Sequence, residues 1–269
     1  LENLGSREGI LKAKTEIFKS MNPDGYVFLN GEDDLLATVK KPWKNEIIRF
    51  GMSKKDAVYA TDVVNKGLPG SEAVIHVADT QFPVKVPLPG IHMVLNALAA
   101  TAVGWQLGLT TEQIAKGIAQ VQAVAGRSHV IETPEYILID DCYNANPVSM
   151  KAAIDLLGTA LQRKVAVLGD MFELGKDEAI LHAQIGEYAI THGVDVLICI
   201  GELSKNMYER AVETLSGKEH GSREIYYFPT REEAMIQLPH ILHTGDAVLI
   251  KASHSMKFEE IVEQSTGRI

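Results

Sequence analysis

Three features of the sequence predict an α/β protein whose C-terminal part is a Rossmann-like, doubly wound domain. From about residue 130 onward, apolar strand-like runs alternate strictly with helical patterns. The first 125 residues contain several consecutive strands with few helices between them. The chain has 269 residues, of which 46% are hydrophobic and 23% charged, as expected for a globular protein with one large or two medium domains.

The alternating region is expected to form a mostly parallel sheet. We predict strands at 137–140, 164–168, 194–200, 225–228 and 246–251, and helices at about 147–161, 177–192, 203–215, 230–242 and 255–264. Strands that alternate with helices build βαβ units, and their right-handed crossovers place helices on both faces of the sheet. This pattern is typical of a doubly wound domain.

The first 125 residues have a different order of helices and strands. We predict a helix at about 7–21, strands at 26–30, 47–51, 57–64, 72–79 and 82–88, and helices at about 92–107 and 111–121. Consecutive strands with few helices between them indicate an antiparallel or mixed sheet, which is a separate architecture. The boundary is expected near 124–128, which gives a first domain of residues 1–126 and a second of residues 127–269.

Charge and composition argue against several classes of partner. The net charge is −9 and no basic block is present, which argues against nucleic acid or an anionic membrane as the main partner. No apolar run approaches the roughly 18 to 20 residues that span a bilayer. Cys142 and Cys199 lie far apart in apolar runs, so we expect two buried thiols in a reducing cytoplasm. We also expect a monomer.

A lysine lies within the apolar stripe of the first predicted helix. Ile10, Ile17, Phe18 and Met21 have helical spacing, and Lys14 stands among them. One interpretation is a snorkelling lysine, whose stem packs while its ammonium group reaches water. The other is a partly buried lysine that is available for catalysis or covalent modification.

Two polar residues stand near the start of the very apolar helix predicted at 92–107. His92 and Asn96 are four residues apart and therefore share one face. One interpretation is hydrogen bonding within the core. The other is that Asn96 presents its amide to a ligand, because an amide that donates and accepts side by side suits the edge of an adenine.

A polar cluster follows the strand at 137–140. The stretch LIDDCYNANPVSM places Asp140 and Asp141 at the end of the strand, and Asn144 and Asn146 shortly before the next helix. In an open α/β sheet, the ligand crevice borders the carboxyl ends of the strands, where the two acids suit a ribose, a water or Mg²⁺. Helix capping and turn formation explain one or two of these residues but not the whole cluster.

Two other stretches also follow predicted strands. KASHS, residues 251–255, lies at a carboxyl edge where anion contacts are expected. VLGDMFELGKD, residues 167–177, has the glycines and the Gly-Lys pair of a nucleotide loop. Its glycines, however, are separated by five residues and its lysine precedes Asp177, whereas G-x-x-x-x-G-K-[ST] requires four residues and a hydroxyl. This stretch is therefore not a phosphate loop.

Taken together, these stretches resemble the Mur ligase family. The motifs that carry the resemblance occur in the family's order and span nearly the whole chain: LENLGSREGILKAKTEIF, PGIHMVLNALAA, AGRSHVI, DDCYNANPVSM, VLGDMFELG and VLIKASHS. The combination of DDCYNANPVSM with VLGDMFELG points to the member that joins D-Ala-D-Ala to UDP-N-acetylmuramoyl-tripeptide in peptidoglycan synthesis.

The resemblance implies the rear part of a central ATPase domain followed by a whole Rossmann-like C-terminal ligase domain. The family's phosphate loop and a magnesium-binding histidine would then lie before Leu1, and the chain has no initiator methionine. We therefore expect a processed product or an excised fragment that does not turn over ATP by itself. The implied reaction uses ATP and Mg²⁺ to form an acyl phosphate, which the amine of D-Ala-D-Ala attacks.

The resemblance also gives residues candidate roles. Lys14 matches the carbamylated family lysine, so it is the expected catalytic residue and, once modified, a magnesium ligand. The expected nucleotide contacts are Asn96 at the adenine, Arg127 in the linker, Asp141 near the ribose, and Tyr143, Asn144 and Asn146 of the same motif. The expected substrate contacts are Asp170, Glu173, Lys251 and Ser253, although helix capping explains Asp170 and Glu173 equally well. The usual Lys-Gly-Ser-Arg is Lys-Ala-Ser-His here, so the role of that arginine does not carry over to His254.

Two other functions stay open. A non-catalytic module could use its Rossmann-like domain to hold a nucleotide or a partner, and the lack of a phosphate loop within these 269 residues favours it for this chain alone. A sister amide ligase that extends folate or other carriers is the third hypothesis. The pairing of DDCYNANPVSM with GDMFELG argues against it.

Overall fold

The computed structural model describes residues 6–40, 46–216 and 223–267. The chain divides into two units, Leu1–Gln122 and Ala123–Ile269. Each unit contains one of the two sheets. The division expected from the sequence, between residues 126 and 127, falls just inside the second unit.

The first unit is built on a five-stranded mixed sheet in the order β1-β2-β3-β4-β5. The strands are β1 (Val27–Asn30), β2 (Ile47–Gly51), β3 (Val58–Asn65), β4 (Ser71–Val77) and β5 (Thr80–Val86). The first three are parallel and the last two are antiparallel to their neighbours. The α-helices are α1 (Arg7–Thr15), α2 (Asp34–Ala37), α3 (Ile91–Gln106) and α4 (Thr111–Ala119).

Helices α3 and α4 cover one face of this sheet. In β4, Ala73, Ile75 and Val77 are buried while the residues between them are more exposed, which is the alternation of a half-buried strand. These side chains pack in one core with Leu98 of α3 and Ile114 of α4. The predicted mixed sheet of the first region is confirmed.

The first helix is shorter than predicted, and the interpretation of Lys14 as a partly buried lysine is wrong. α1 ends at Thr15, and a 3₁₀ helix, Glu16–Ser20, continues the chain. A 3₁₀ helix has about three residues per turn, so the apolar stripe expected from the α-helical period is broken after Thr15. No residue of either helix is buried, Ile17 is 66% exposed and Lys14 is exposed.

The second unit contains a six-stranded sheet in the order β10-β9-β8-β11-β7-β6. The strands are β6 (His129–Glu132), β7 (Ile137–Asp140), β8 (Lys164–Gly169), β9 (Val196–Ile200), β10 (Glu224–Phe228) and β11 (Ala247–Lys251). All neighbours are parallel except β6, which is antiparallel to β7. The α-helices are α5 (Pro147–Gly158), α6 (Glu178–Thr191), α7 (Ser204–Ser216), α8 (Arg231–Ile241) and α9 (Glu259–Ser265).

This sheet is doubly wound, as the sequence predicts. From β7 through β8 and β9 to β10 the chain advances in one direction, and it then returns to place β11 between β8 and β7. Right-handed crossovers therefore put α5, α6 and α7 on one face and α8 on the other. Val167 and Ile198 pack in one core with Leu238 of α8, with Phe258 directly before α9 and with Ile261 of α9, so the face that α8 covers has its own core.

Three further elements differ from the sequence prediction. The short strand β6 and the four-residue helix α2 are not predicted, because neither is long enough to show a period. The helix predicted at 255–264 divides into a 3₁₀ turn, His254–Met256, and α9. Lys257 separates them with a φ of 53°, a left-handed conformation that ends a helical run. Across the described residues, no helix has the length and apolarity to cross a membrane.

The pKa of Asp56 in the first unit is raised, first by burial and then by the nearby Glu32 carboxylate. Its Oδ2 atom is buried and has no hydrogen-bond partner among the residues that the structure describes. A raised pKa favours the protonated form in the folded state, so stability is lost as pH rises through the folded pKa. Asp56→Asn is therefore expected to raise the melting temperature at pH 7 and to reduce its fall between pH 4 and 7. Melting temperatures measured between pH 4 and 7 test this prediction, with Asp79→Asn, a substitution of an exposed aspartate, as the control. Equal changes in melting temperature for the two variants would contradict it.

Candidate functional site

Three polar segments meet at the carboxyl edge of the second sheet. They follow β7, β8 and β11, which are neighbours in the sheet. The Ser253 N–H donates to the Asp170 carbonyl at 3.0 Å, and the Phe172 N–H donates to Ser253 Oγ at 2.9 Å. The motifs DDCYNANPVSM, VLGDMFELG and KASHS therefore form one edge, where ligands of open α/β sheets bind.

Asp140 ties the start of the second unit to the end of β7. It is 4% exposed, and its Oδ2 accepts the Gly126 N–H at 2.8 Å. Its Oδ1 accepts the Cys142 thiol at 2.9 Å. Burial, and then this carboxylate, raise the pKa of the Cys142 thiol far above its ordinary value. Cys142 and Cys199 are buried free thiols, as predicted, and burial likewise raises the pKa of Cys199.

Asp141 and Lys251 form a buried ion pair between β7 and β11. Lys251 Nζ lies 2.6 Å from Asp141 Oδ2, and the side chains are 3% and 14% exposed. The ammonium also donates to the Asn144 carbonyl at 2.9 Å, and Asp141 Oδ1 accepts the Ser128 N–H at 2.8 Å. The charges of Asp141 and Lys251 are therefore compensated by each other and by hydrogen bonds within the protein. A contact from Lys251 to an anion would require this network to open.

Asp170 caps the start of helix α7. Its Oδ1 accepts the backbone N–H and the hydroxyl of Ser204, each at 2.7 Å. Gly201 has a φ of 111°, and a Cβ at that position would lie 2.5 Å from Asp170 Oδ2. The carboxylate of Asp170 is thus held against β9 and α7. Glu173 of the same loop is exposed, with a φ of 62°.

The two asparagines of the motif have different surroundings. Asn146 Oδ1 accepts the Ser149 N–H at 2.9 Å, and Ser149 Oγ accepts the Asn146 N–H at 3.1 Å. This reciprocal pair is a capping box at the start of α5, where Pro147 suits the first turn. Asn144 is exposed, and its Oδ1 accepts the adjacent Ala145 N–H at 2.8 Å. Its amide nitrogen is available to a ligand.

Arg127, Tyr143 and His254 form an exposed stack at the same edge. The Arg127 guanidinium carbon lies 4.1 Å from the centre of the Tyr143 ring. The Tyr143 and His254 ring centres are 5.8 Å apart with planes tilted by 38°. Tyr143 is 51% exposed, and Arg127 and His254 are exposed. His254 belongs to the KASHS stretch, where the sequence predicts anion contacts, although no individual role is assigned to it from the sequence.

The remaining candidates, Lys14 and Asn96, belong to the first unit. Asn96 is exposed on α3, and its Nδ2 lies 3.4 Å from Met93 Sδ. Lys14 is exposed on α1. Among the described residues, no group of three or more His, Cys, Asp or Glu side chains is placed to hold a metal ion.

Comparison with protein families assigns both parts of the chain. Residues 1–104 match the Mur ligase middle domain, and residues 126–254 match the domain described as Mur ligase, glutamate ligase domain. The chain belongs to the Mur ligase family. The two matches follow each other in the chain as the resemblance of its motifs implies.

Relatives within the Mur ligase family are named UDP-N-acetylmuramoyl-tripeptide–D-alanyl-D-alanine ligase. The Escherichia coli protein is 32% identical over 264 residues, which cover 97% of this chain and 56% of the relative. The Treponema pallidum protein is 33% identical over 261 residues, which cover 96% and 54%. The chain thus spans about half the length of the relatives it matches.

Solved Mur ligase structures share the fold. A crystal structure of MurF from Acinetobacter baumannii has a TM-score of 0.86 and 29% identity, covering 99% of this chain and 57% of that one. A MurF ligase structure from Thermotoga maritima in complex with ADP has a TM-score of 0.81 and 25% identity, with coverages of 99% and 59%. The predicted Rossmann-like architecture is confirmed by these similarities.

Proposed function

We propose that this chain is part of an ATP-dependent amide ligase that adds D-Ala-D-Ala to UDP-N-acetylmuramoyl-tripeptide in peptidoglycan synthesis. The observation that carries the proposal is the match to relatives of that name over 97% of the chain. The polar carboxyl edge of the second sheet supports it, because open α/β sheets bind ligands there. The ADP complex of the Thermotoga maritima relative supports a nucleotide as ligand.

The proposed reaction proceeds through an acyl phosphate. The tripeptide carboxylate attacks the γ-phosphorus of ATP and releases ADP, and the amine of D-Ala-D-Ala then displaces phosphate to form the amide. In this proposal Asn96 contacts the adenine, and Arg127, Tyr143 and Asn144 contact the nucleotide from the second unit. Five further residues position these nucleotide contacts, because their hydrogen bonds fix the carboxyl edge of the second sheet: Asp141, Asn146, Asp170, Lys251 and Ser253. Glu173 is exposed and is proposed to contact substrate.

Magnesium is expected as the partner of ATP, but the described residues do not form a site for it. They contain no cluster of three His, Cys, Asp or Glu side chains. A carbamate on Lys14, formed from its amine and CO₂ with loss of a proton, would supply one carboxylate ligand. We therefore assign Lys14 as a candidate magnesium ligand.

A second candidate, a non-catalytic nucleotide-binding or partner-binding module, is favoured for this chain taken alone. The 269 residues contain no G-x-x-x-x-G-K-[ST] sequence. That loop cradles the phosphates of ATP through its backbone N–H groups, its lysine and its hydroxyl. Without it, the chain is expected to bind nucleotide weakly and not to hydrolyse it.

Product formation tests the proposal. We expect a full-length protein that contains this chain and a G-x-x-x-x-G-K-[ST] loop to form UDP-N-acetylmuramoyl-pentapeptide from the tripeptide, D-Ala-D-Ala and ATP. Residues 1–269 alone should form none above background, as measured by mass spectrometry of the products. A full-length protein that releases phosphate without forming the pentapeptide would exclude the ligase, and ligation by residues 1–269 would exclude the dependence on the loop.

A further inference from the structure

A buried histidine of α6 contacts the backbone of the loop that follows β8, residues 170–174. His182 is 0% exposed, and its Nε2 lies 2.9 Å from the backbone nitrogen of Met171. Its Nδ1 lies 2.7 Å from the carbonyl oxygen of Glu178, four residues earlier in the helix. Both ring nitrogens are therefore engaged inside the protein, and the ring joins α6 to loop 170–174.

The two partners of His182 determine where its ring carries a proton. A backbone N–H can only donate, so Nε2 accepts the hydrogen bond from Met171 and carries no proton. A carbonyl oxygen can only accept, so Nδ1 carries the proton and donates to Glu178. His182 is therefore a neutral imidazole in a single tautomer. An apolar side chain of the same size would leave the Met171 N–H buried without an acceptor.

The peptide group between Asp170 and Met171 is held at both of its polar ends. Its oxygen accepts the Ser253 N–H at 3.0 Å, and its N–H donates to His182. The next N–H, that of Phe172, donates to Ser253 Oγ at 2.9 Å, and the Met171 side chain is fully buried. These bonds fix the orientation of the loop backbone, and α6 contributes to this through His182.

The residue that follows this fixed segment has an unfavourable backbone conformation. Glu173 has a φ of 62°, in the left-handed region that costs free energy for any residue with a Cβ. Such a conformation persists only where the surrounding structure determines it. Glu173 is exposed and follows Phe172 directly. The hydrogen bonds of residues 170–172 therefore fix the backbone from which the Glu173 carboxylate projects.

We propose that His182 is a positioning residue for the ligase reaction. Its bond to Met171 holds loop 170–174 in the conformation that places the Glu173 carboxylate against the substrate. His182 is fully buried and does not contact the substrate itself. The inference rests on the proposed function, in which Glu173 contacts substrate. It assigns a role to a residue outside the stretch VLGDMFELGKD.

NMR of residues 1–269 with ¹⁵N labels in the histidine rings and the backbone tests the contact directly. The chain contains nine histidines, and the ring signal that disappears in His182→Gln belongs to His182. We expect a proton on its Nδ1 and none on its Nε2. The Met171 amide proton should exchange with solvent about tenfold faster in His182→Leu, because one buried hydrogen bond is lost. A proton on Nε2 would exclude the bond to Met171 and overturn the inference.

Two replacements of His182 separate the hydrogen bond from the buried volume. Glutamine can offer its side-chain oxygen near the position of Nε2 and accept the Met171 N–H, whereas leucine fills the space without an acceptor. In the full-length protein, His182→Leu should lower the rate of pentapeptide formation by about tenfold or more, and His182→Gln should keep it within about threefold. A residue that only fills the core would give the reverse order, because burying an amide costs more than burying leucine.

His192 provides the matched control at the end of the same helix. Its Nδ1 also lies 2.9 Å from the carbonyl oxygen of a residue four positions earlier, Tyr188, but its ring is exposed and stacks on Tyr188. His192→Leu should keep the rate within about twofold. All rates are compared at a temperature at which circular dichroism shows each variant to be folded. If His182→Leu does not fold, His182→Asn replaces it, since asparagine reaches the Glu178 carbonyl but not Met171.

A double-variant cycle tests whether His182 acts through Glu173. Glu173→Gln alone should lower the rate by about tenfold, as expected for the loss of one charge-assisted hydrogen bond to substrate. In the Glu173→Gln protein, His182→Leu should then lower the rate by no more than about threefold, because the two residues act as one unit. A merely structural role of His182 gives two factors that multiply in full, and that result would overturn the inference.

These measurements separate the inference from the proposed function. A His182→Leu protein that forms the pentapeptide as fast as the protein without substitutions would overturn the positioning role and leave the ligase in place. A full-length protein without substitutions that forms no pentapeptide would disprove the ligase and the positioning role together. The tautomer of His182 would still show whether α6 holds loop 170–174.

Discussion

Replacing Lys251 by alanine is expected to lower the free energy of unfolding of the second unit by about 3–5 kcal/mol. This is the usual cost of removing one partner of a buried ion pair, because the other charge stays buried without compensation. Lys251 is 3% exposed and lies 2.6 Å from Asp141 Oδ2, so water cannot easily replace the ammonium. Urea unfolding followed by far-UV circular dichroism measures the change.

Two further variants separate the buried charge from the loss of a lysine. Lys205→Ala removes a surface lysine that lies 4.0 Å from Glu209, and it should cost less than about 1 kcal/mol. The double variant Lys251→Met with Asp141→Asn removes both charges and retains an acceptor for the Ser128 N–H. It should recover part of the stability lost in Lys251→Ala. If Lys251→Ala costs no more than Lys205→Ala, the pair does not hold the edge together.

Lys14→Ala in the full-length protein is expected to reduce pentapeptide formation by about 100-fold or more. The size is that of removing one group that stabilises charge in the transition state. If the lysine acts as a carbamate, short carboxylic acids such as acetate should restore part of the rate, since they replace the lost carboxylate. Initial rates with and without added acid measure both effects.

Lys12 provides the matched control for Lys14. It is exposed on the same helix, α1, two residues earlier, and no role is proposed for it. Lys12→Ala should therefore keep the rate within about twofold, as surface substitutions change little. Equal rates of pentapeptide formation in Lys14→Ala and in the protein without substitutions would show that Lys14 is not a catalytic residue. A large loss of rate that short carboxylic acids do not restore would support a catalytic role of Lys14 but exclude its carbamate form.

The strands of the second sheet are the part of the fold that the sequence predicts best. Their apolar runs, such as VAVL in β8 and VLICI in β9, are continuous because parallel strands are covered on both faces. The order of the strands is not predictable in the same way. The insertion of β11 between β8 and β7 depends on contacts between residues far apart in the chain.

The candidate site is predictable in its place but not in its geometry. Motifs that follow strands had to meet at one carboxyl edge, and the structure brings the segments after β7, β8 and β11 together. Which side chains face outward depends on strand register. β11 pairs Ile250 with Asp140, which places Lys251 beside Asp141 and leaves His254 three residues further on at the surface. No sequence pattern distinguishes the buried lysine from the exposed histidine.

The central position of β11 also bears on the order in which the protein can assemble during synthesis. A ribosome that has released the chain through β10 has produced β7 and β8, but the strand that joins them is still missing. The nascent second unit then exposes two unpaired strand edges, which invite pairing with other chains. Long-range pairing of this kind slows folding. Stalled synthesis before residue 247 should therefore yield an aggregation-prone intermediate that lacks the centre of its sheet.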